Sequence, residues 1–154
     1  MPEVHVLDEV RDPATGRVTK RLTEALGDNP GEVDLTTTKY NANGGKATEV
    51  KETFYRPAGD PRFRSNLIER ETTEYGADGQ PTRRTIELFN DGVNETPFSK
   101  IVYEWETDNT VDPPVRFLKF FRHFVWEEGP PARWREDWRV QHDRTGAIVE
   151  AGVP

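Results

Sequence analysis

The chain has 154 residues, 33% apolar, 10% aromatic and 32% charged, with a net charge of −7. Its length suits one domain with a core of its own, so residues 1–154 are read as a single all-β domain. The aromatic content separates it from disordered chains of similar charge, the acidity argues against general nucleic-acid binding, and the lack of cysteine excludes a disulfide framework and thiolate chemistry.

The start, Met1-Pro2-Glu3-Val4-His5, has neither a basic nor an apolar leader region. No stretch approaches the roughly 18 apolar residues of a membrane span. A cytoplasmic protein without membrane contact is therefore expected. Val4, Val6 and Leu7 open a first strand that reaches a turn at Pro13-Ala14-Thr15-Gly16. Over Arg17–Leu26, Val18, Lys20 and Leu22 alternate as in a strand, while Leu22, Ala25 and Leu26 have helical spacing. A strand is expected, with a short helical turn near Thr23–Leu26 as the alternative. Gly27-Asp28-Asn29-Pro30-Gly31 reads as a loop.

Two paired units follow. Val33–Tyr40 turns at Asn43-Gly44 and returns as Ala47–Tyr55; Glu71–Tyr75 turns at Asp78-Gly79 and returns as Thr82–Asn90. Thr37-Thr38-Lys39-Tyr40-Asn41-Ala42-Asn43-Gly44 is echoed by Thr72-Thr73-Glu74-Tyr75-Gly76-Ala77-Asp78-Gly79, and the same offset links Glu52 to Glu87 and Phe54 to Phe89. Gly after Asn or Asp supplies the positive φ of a tight hairpin turn, and Thr, Tyr and Phe suit a pleated, half-buried surface. Between the units, Asp60-Pro61 can cap a helix bearing Phe63, Leu67 and Ile68, against strand character over Arg64–Arg70.

Asp91–Pro97 is a loop, and in Ser99–Glu106 the residues Ile101, Tyr103 and Trp105 share a face. After the loop Thr107–Pro114 comes the most apolar strand, Val115–Trp126. Strict alternation places Val115, Phe117, Lys119, Phe121, His123 and Val125 on one face, and Arg116, Leu118, Phe120, Arg122, Phe124 and Trp126 on the other. Gly129-Pro130-Pro131 leads into Arg133–Gln141, where Trp134, Glu136, Trp138 and Val140 oppose Arg133, Arg135, Asp137 and Arg139. The last hairpin, at Asp143-Arg144-Thr145-Gly146, matches the first through Val10/Val140, Thr15/Thr145 and Gly16/Gly146. About ten strands joined in sequence predict an antiparallel up-and-down meander, curved or barrel-like to limit its edges.

Tyr75-Gly76-Ala77-Asp78-Gly79 resembles the hairpin repeats of YD/RHS-type shell proteins, although neither Tyr40 nor Tyr75 is followed by Asp. The likeness covers the two hairpin units alone. Lipocalins and fatty-acid-binding proteins are meanders of similar length, but the Gly-x-Trp motif is missing near the N-terminus. No family is identified on these residues.

His5, His123 and His142 have no metal-ligand spacing, and no cofactor motif is visible, so neither metal nor cofactor is expected. Gly44-Gly45-Lys46 lacks the first Gly and the hydroxyl residue of a phosphate loop. The neighbours Glu136 and Asp137 point to opposite faces of a strand and cannot share a site. The binding candidates are aromatic and basic: Trp126, Trp134 and Trp138 with Arg122, Arg135 and Arg139, joined by Tyr103, Trp105 and His123. Trp and Arg dominate protein-interface hot spots, and stacked with one another they hold planar or anionic ligands. The competing role for the tryptophans is core packing.

Three functions follow. The first is a non-catalytic interaction protein (an inhibitor, an immunity-like partner or an assembly subunit) with a protein partner or a second copy of itself. The second is a β-barrel with an aromatic-lined cavity for a small apolar or aromatic ligand. The weakest is an enzyme using His123 with Glu104 or Glu136. Strand closure separates the first two, because a closed barrel favours a ligand and an open sheet with exposed aromatics favours a partner.

Overall fold

Glycines with positive φ set the hairpins. Gly44 (φ 87°) and Gly79 (φ 82°) occupy matching places in the two echoed units. In each turn the same two bonds close the loop: Asn41 N–H donates to Gly45 O (2.9 Å) and Gly44 N–H to Asn41 O (3.1 Å), as Gly76 N–H does to Gln80 O (2.9 Å) and Gly79 N–H to Gly76 O (3.0 Å). The last hairpin repeats the pattern with Asp143 N–H to Ala147 O at 2.9 Å. The first turn is one residue wider, its bond running from Asp12 N–H to Arg17 O (2.8 Å), so its match to the last is one of composition and not of loop length.

The computed structural model describes residues 3–55, 66–92 and 96–154. Among them are β1 (Val4–Arg11), β2 (Val18–Leu26), β3 (Glu32–Tyr40), β4 (Lys46–Tyr55), β5 (Leu67–Tyr75), β6 (Pro81–Gly92), β7 (Thr96–Asp108), β8 (Val115–Glu127), β9 (Arg133–His142) and β10 (Ile148–Gly152). They form one antiparallel sheet in the order β1 to β10, and β1 does not pair with β10, so the meander is open and no barrel closes. The helical alternative near Thr23–Leu26 gives way to β2, since every residue from Lys20 to Leu26 pairs in register with β3. The helix considered after Asp60-Pro61 falls largely outside the described residues; Leu67 and Ile68 lie in β5. No described helix is long and apolar enough to cross a membrane.

Register sorts the side chains into two faces, because directly opposed residues of an antiparallel pair point the same way. One row crosses all ten strands: Glu9, Arg21, Thr38, Glu49, Thr73, Arg84, Tyr103, Phe121, Val140 and Ala151. The described buried polar side chains, Thr38, Thr53, Thr73 and Ser99, all lie on that face, here called the threonine face. The buried apolar ones, Val33, Leu35, Phe54, Leu67, Phe89 and Val102, lie on the other, the core face. Leu67 joins them through a bulge at Ile68 that sets it opposite Phe54.

The core sits in the middle of the sheet. Leu35, Phe54, Leu67 and Phe89 form one cluster with Leu22 packed against it. Each such side chain contributes about 1.5–3 kcal/mol on burial. The echoed residues converge here: Arg70 reaches Glu52 at 3.1 Å and Glu87 at 3.9 Å, and its guanidinium lies 5.2 Å from the Phe89 ring.

Candidate functional site

Strands β7, β8 and β9 carry the candidates, and two bulges decide their faces. At Lys119 the register slips between Glu104/Phe120 and Trp105/Leu118. At Asp137 it slips between His123/Trp138 and Phe124/Glu136. A bulged strand changes face without a break in the sheet. Strict alternation in the sequence therefore misassigns both strands. Trp134 and Glu136 stay on the core face while Trp138 and Val140 move to the threonine face, and Arg116 joins Trp105 there, its guanidinium 5.0 Å from the indole.

On the core face, Trp126 and Trp134 are directly opposed, their rings 5.3 Å apart at 74°, the edge-to-face arrangement aromatic pairs prefer. Lys100 lies over this group, its Nζ 4.6 Å from the Trp134 ring and 4.8 Å from Phe124. Burial holds its ammonium below the usual lysine range, with Glu87 acting in the opposite sense. Arg122 stacks on Phe120 at 4.4 Å and lies 3.6 Å from Glu104 and 3.9 Å from Glu136. Arg139 reaches Glu136 at 3.6 Å and Glu150 at 3.3 Å. The two candidate arginines on this face are thus partly neutralised by carboxylates.

On the threonine face, Tyr103 stacks along the strand on Trp105 (6.0 Å, 19°) and meets Phe121 edge-on (5.2 Å, 70°). Arg84 flanks Tyr103 at 5.8 Å while bonding Glu71 at 2.8 Å. Trp138 is 44% exposed beside His123, and Arg135 pairs with Glu127. The nine candidates therefore do not form one patch. Trp126, Trp134, Arg122 and Arg139 share the core face, whereas Tyr103, Trp105, His123, Trp138 and Arg135 share the threonine face.

His123 is not paired with Glu104 or Glu136, which belong to the core face with Arg122. Its Nδ1 lies 2.6 Å from Asp137 Oδ1 and its Nε2 2.8 Å from Ser99 Oγ. Ser99 and Lys100 were not among the sequence candidates, and Asp137 was weighed only as the neighbour of Glu136. Ser99 is one of two serines in the chain and alone among them lies in a described strand, which is the one signal pointing to it.

A cavity of about 780 Å³ lies at the turn end of β7–β10 among polar groups such as Asp108, Lys119, His142 and Arg144. Hydrogen bonds from Thr110 and then Arg144 hold the Asp108 carboxyl down at about 2. Neither this cavity nor the smaller ones beside Asp34 and Glu69 and beside His5 and Leu26 are lined by Tyr103, Trp105, Phe121, Trp126, Trp134 or Trp138. No family model matches the chain, and neither a curated protein nor a solved structure matches it.

Proposed function

We propose that the chain is a binding protein that engages a protein partner, a second copy of itself included, through the aromatic and basic surface of β7–β9. The observation that carries this reading is the open sheet. Its aromatic side chains are spread over two faces of one layer, instead of lining a closed cavity. Trp138, exposed among Arg135 and Val140, has the chemistry of an interface anchor: a large apolar ring with a polar N–H.

Native mass spectrometry of the freshly purified chain, compared with its denatured mass, tests this. The expected spectrum holds whole chains only, singly or as a multiple. An excess of a few hundred daltons that denaturation removes would put a small ligand in the partner's place and overturn the reading. If a multiple is found, Trp138→Ala is expected to shift it towards the single chain.

A further inference from the structure

Ser99, His123 and Asp137 lie on three adjacent strands and form a continuous chain of hydrogen bonds on the threonine face. Register explains the meeting. Ser99 is opposite Val125 and His123 opposite Ile101, so serine and histidine are diagonal neighbours across β7 and β8. Asp137 is the extra residue of the β9 bulge: it keeps to the face of Arg135, and Trp138 follows it onto the same face opposite His123, so carboxylate and imidazole meet there. With Asp137 accepting from Nδ1–H, the imidazole presents Nε2 as acceptor to the Ser99 hydroxyl, the arrangement that activates a serine nucleophile.

The surroundings define a ligand class. Ser99 lies between Leu88 and Val125 in its row, and His123 between Ile101 and Trp138. Ser99 is 9% exposed, while the side chains of His123 and Asp137 are 31% and 32% exposed. The relay thus runs from water down to a hydroxyl with apolar walls on both sides. A short apolar acyl group fits those walls better than a charged one.

We propose that Ser99 is a nucleophile towards carboxylic esters with short apolar acyl groups, with His123 as its general base and Asp137 as the residue that orients the imidazole. Ser99 Oγ bonds to the ester carbonyl carbon as its proton passes to His123 Nε2. The tetrahedral intermediate then expels the alkoxide, which takes the proton from Nε2 and leaves as the alcohol, giving acyl-Ser99 and a neutral imidazole. Water repeats the proton route and releases the carboxylic acid. Asp137 stays ionised throughout. No oxyanion donor is assigned, and each such donor is worth about 10²–10³ in kcat. The expected behaviour is therefore covalent capture with slow release, a reactivity that goes beyond partner binding and does not depend on it.

The test uses the full chain and p-nitrophenyl acetate, read by intact and peptide mass spectrometry. One acetyl group per chain is expected on Ser99, and hydroxylamine should remove it, as it removes an ester but not a lysine amide. Ser99→Ala should abolish that adduct, and Asp137→Asn and His123→Gln should slow its formation about a hundredfold, with folding of each variant checked by circular dichroism. Absence of a Ser99 adduct on the unaltered protein would overturn the proposal and leave the network a purely structural one. Equal acylation rates in His123→Gln and the unaltered chain would overturn it as well.

Discussion

Leu67 has no exposed surface at all and sits where Leu35, Phe54 and Phe89 converge. Around it the cluster is thin, because each buried apolar side chain belongs to one layer and few neighbours can move in to fill a gap. Removing three side-chain carbons there leaves a void in addition to the lost transfer energy. Leu67→Ala is expected to cost about 3 kcal/mol, read as a lower urea midpoint with an unchanged slope; a loss below about 1 kcal/mol would mean that the cluster is not the stabilising centre of the sheet. The guanidinium of Arg70, shared between Glu52 and Glu87, is about one-third exposed, and exposed pairs of this kind contribute at most about 1 kcal/mol. Its larger role is to cover the Phe89 ring with its own planar group.

At the scale of the hairpin, turn chemistry was the most legible part of the sequence. Asn43-Gly44 and Asp78-Gly79 announced positive φ by residue type alone, and the resulting turns close with the same pair of hydrogen bonds. A methyl group added at Gly79 would meet nothing within 4 Å, so its whole effect falls on the backbone conformation. Gly79→Ala is expected to destabilise by about 1–2 kcal/mol in urea unfolding; no loss would show that the turn relaxes freely to negative φ. Bulges were the least legible part. Nothing in the β8 run Arg116–Trp126 or the β9 run Arg133–Gln141 marks Lys119 or Asp137 as the residue to be left unpaired. That choice depends on how the partner strand fits, which is not local information. The faces assigned to Trp138, Val140 and Arg116 changed for this reason.

For the molecule as a whole, the open layer has a measurable consequence. The chain exposes 9875 Å², against about 8,000 Å² expected for a compact monomer of its mass. Small-angle scattering under monomeric conditions should give a radius of gyration above the roughly 15 Å of a compact chain of this length; a value at that figure would mean that the sheet curls shut in solution. Its edges bear exposed Val4, Val6 and Val10 on β1 and Ile148 and Val149 on β10, a composition that invites pairing. Both edges also carry register irregularities, between Val6 and Asp8 and between Ile148 and Glu150, and β10 has five residues. Bulges and shortness are devices that discourage edge-to-edge growth. Association through the face around Trp138 is favoured over association through the edges on this ground.

Most of the strands, the hairpin turns and the pairing of consecutive strands were legible in the residues alone, while Thr23–Leu26 and the segment after Asp60-Pro61 stayed open between strand and helix. Alternation, Gly φ and short connections act over a few residues, and a linear reading can see them. Only the tertiary structure decided that the meander stays open, that the nine aromatic and basic candidates divide between two faces, and that Asp137 rather than Glu136 meets His123. Openness is a matter of whether β1 and β10 meet, a contact between the two ends of the chain. The division of the candidates depends on bulges, each settled between two strands when their hydrogen-bond ladders and side chains compete for one register.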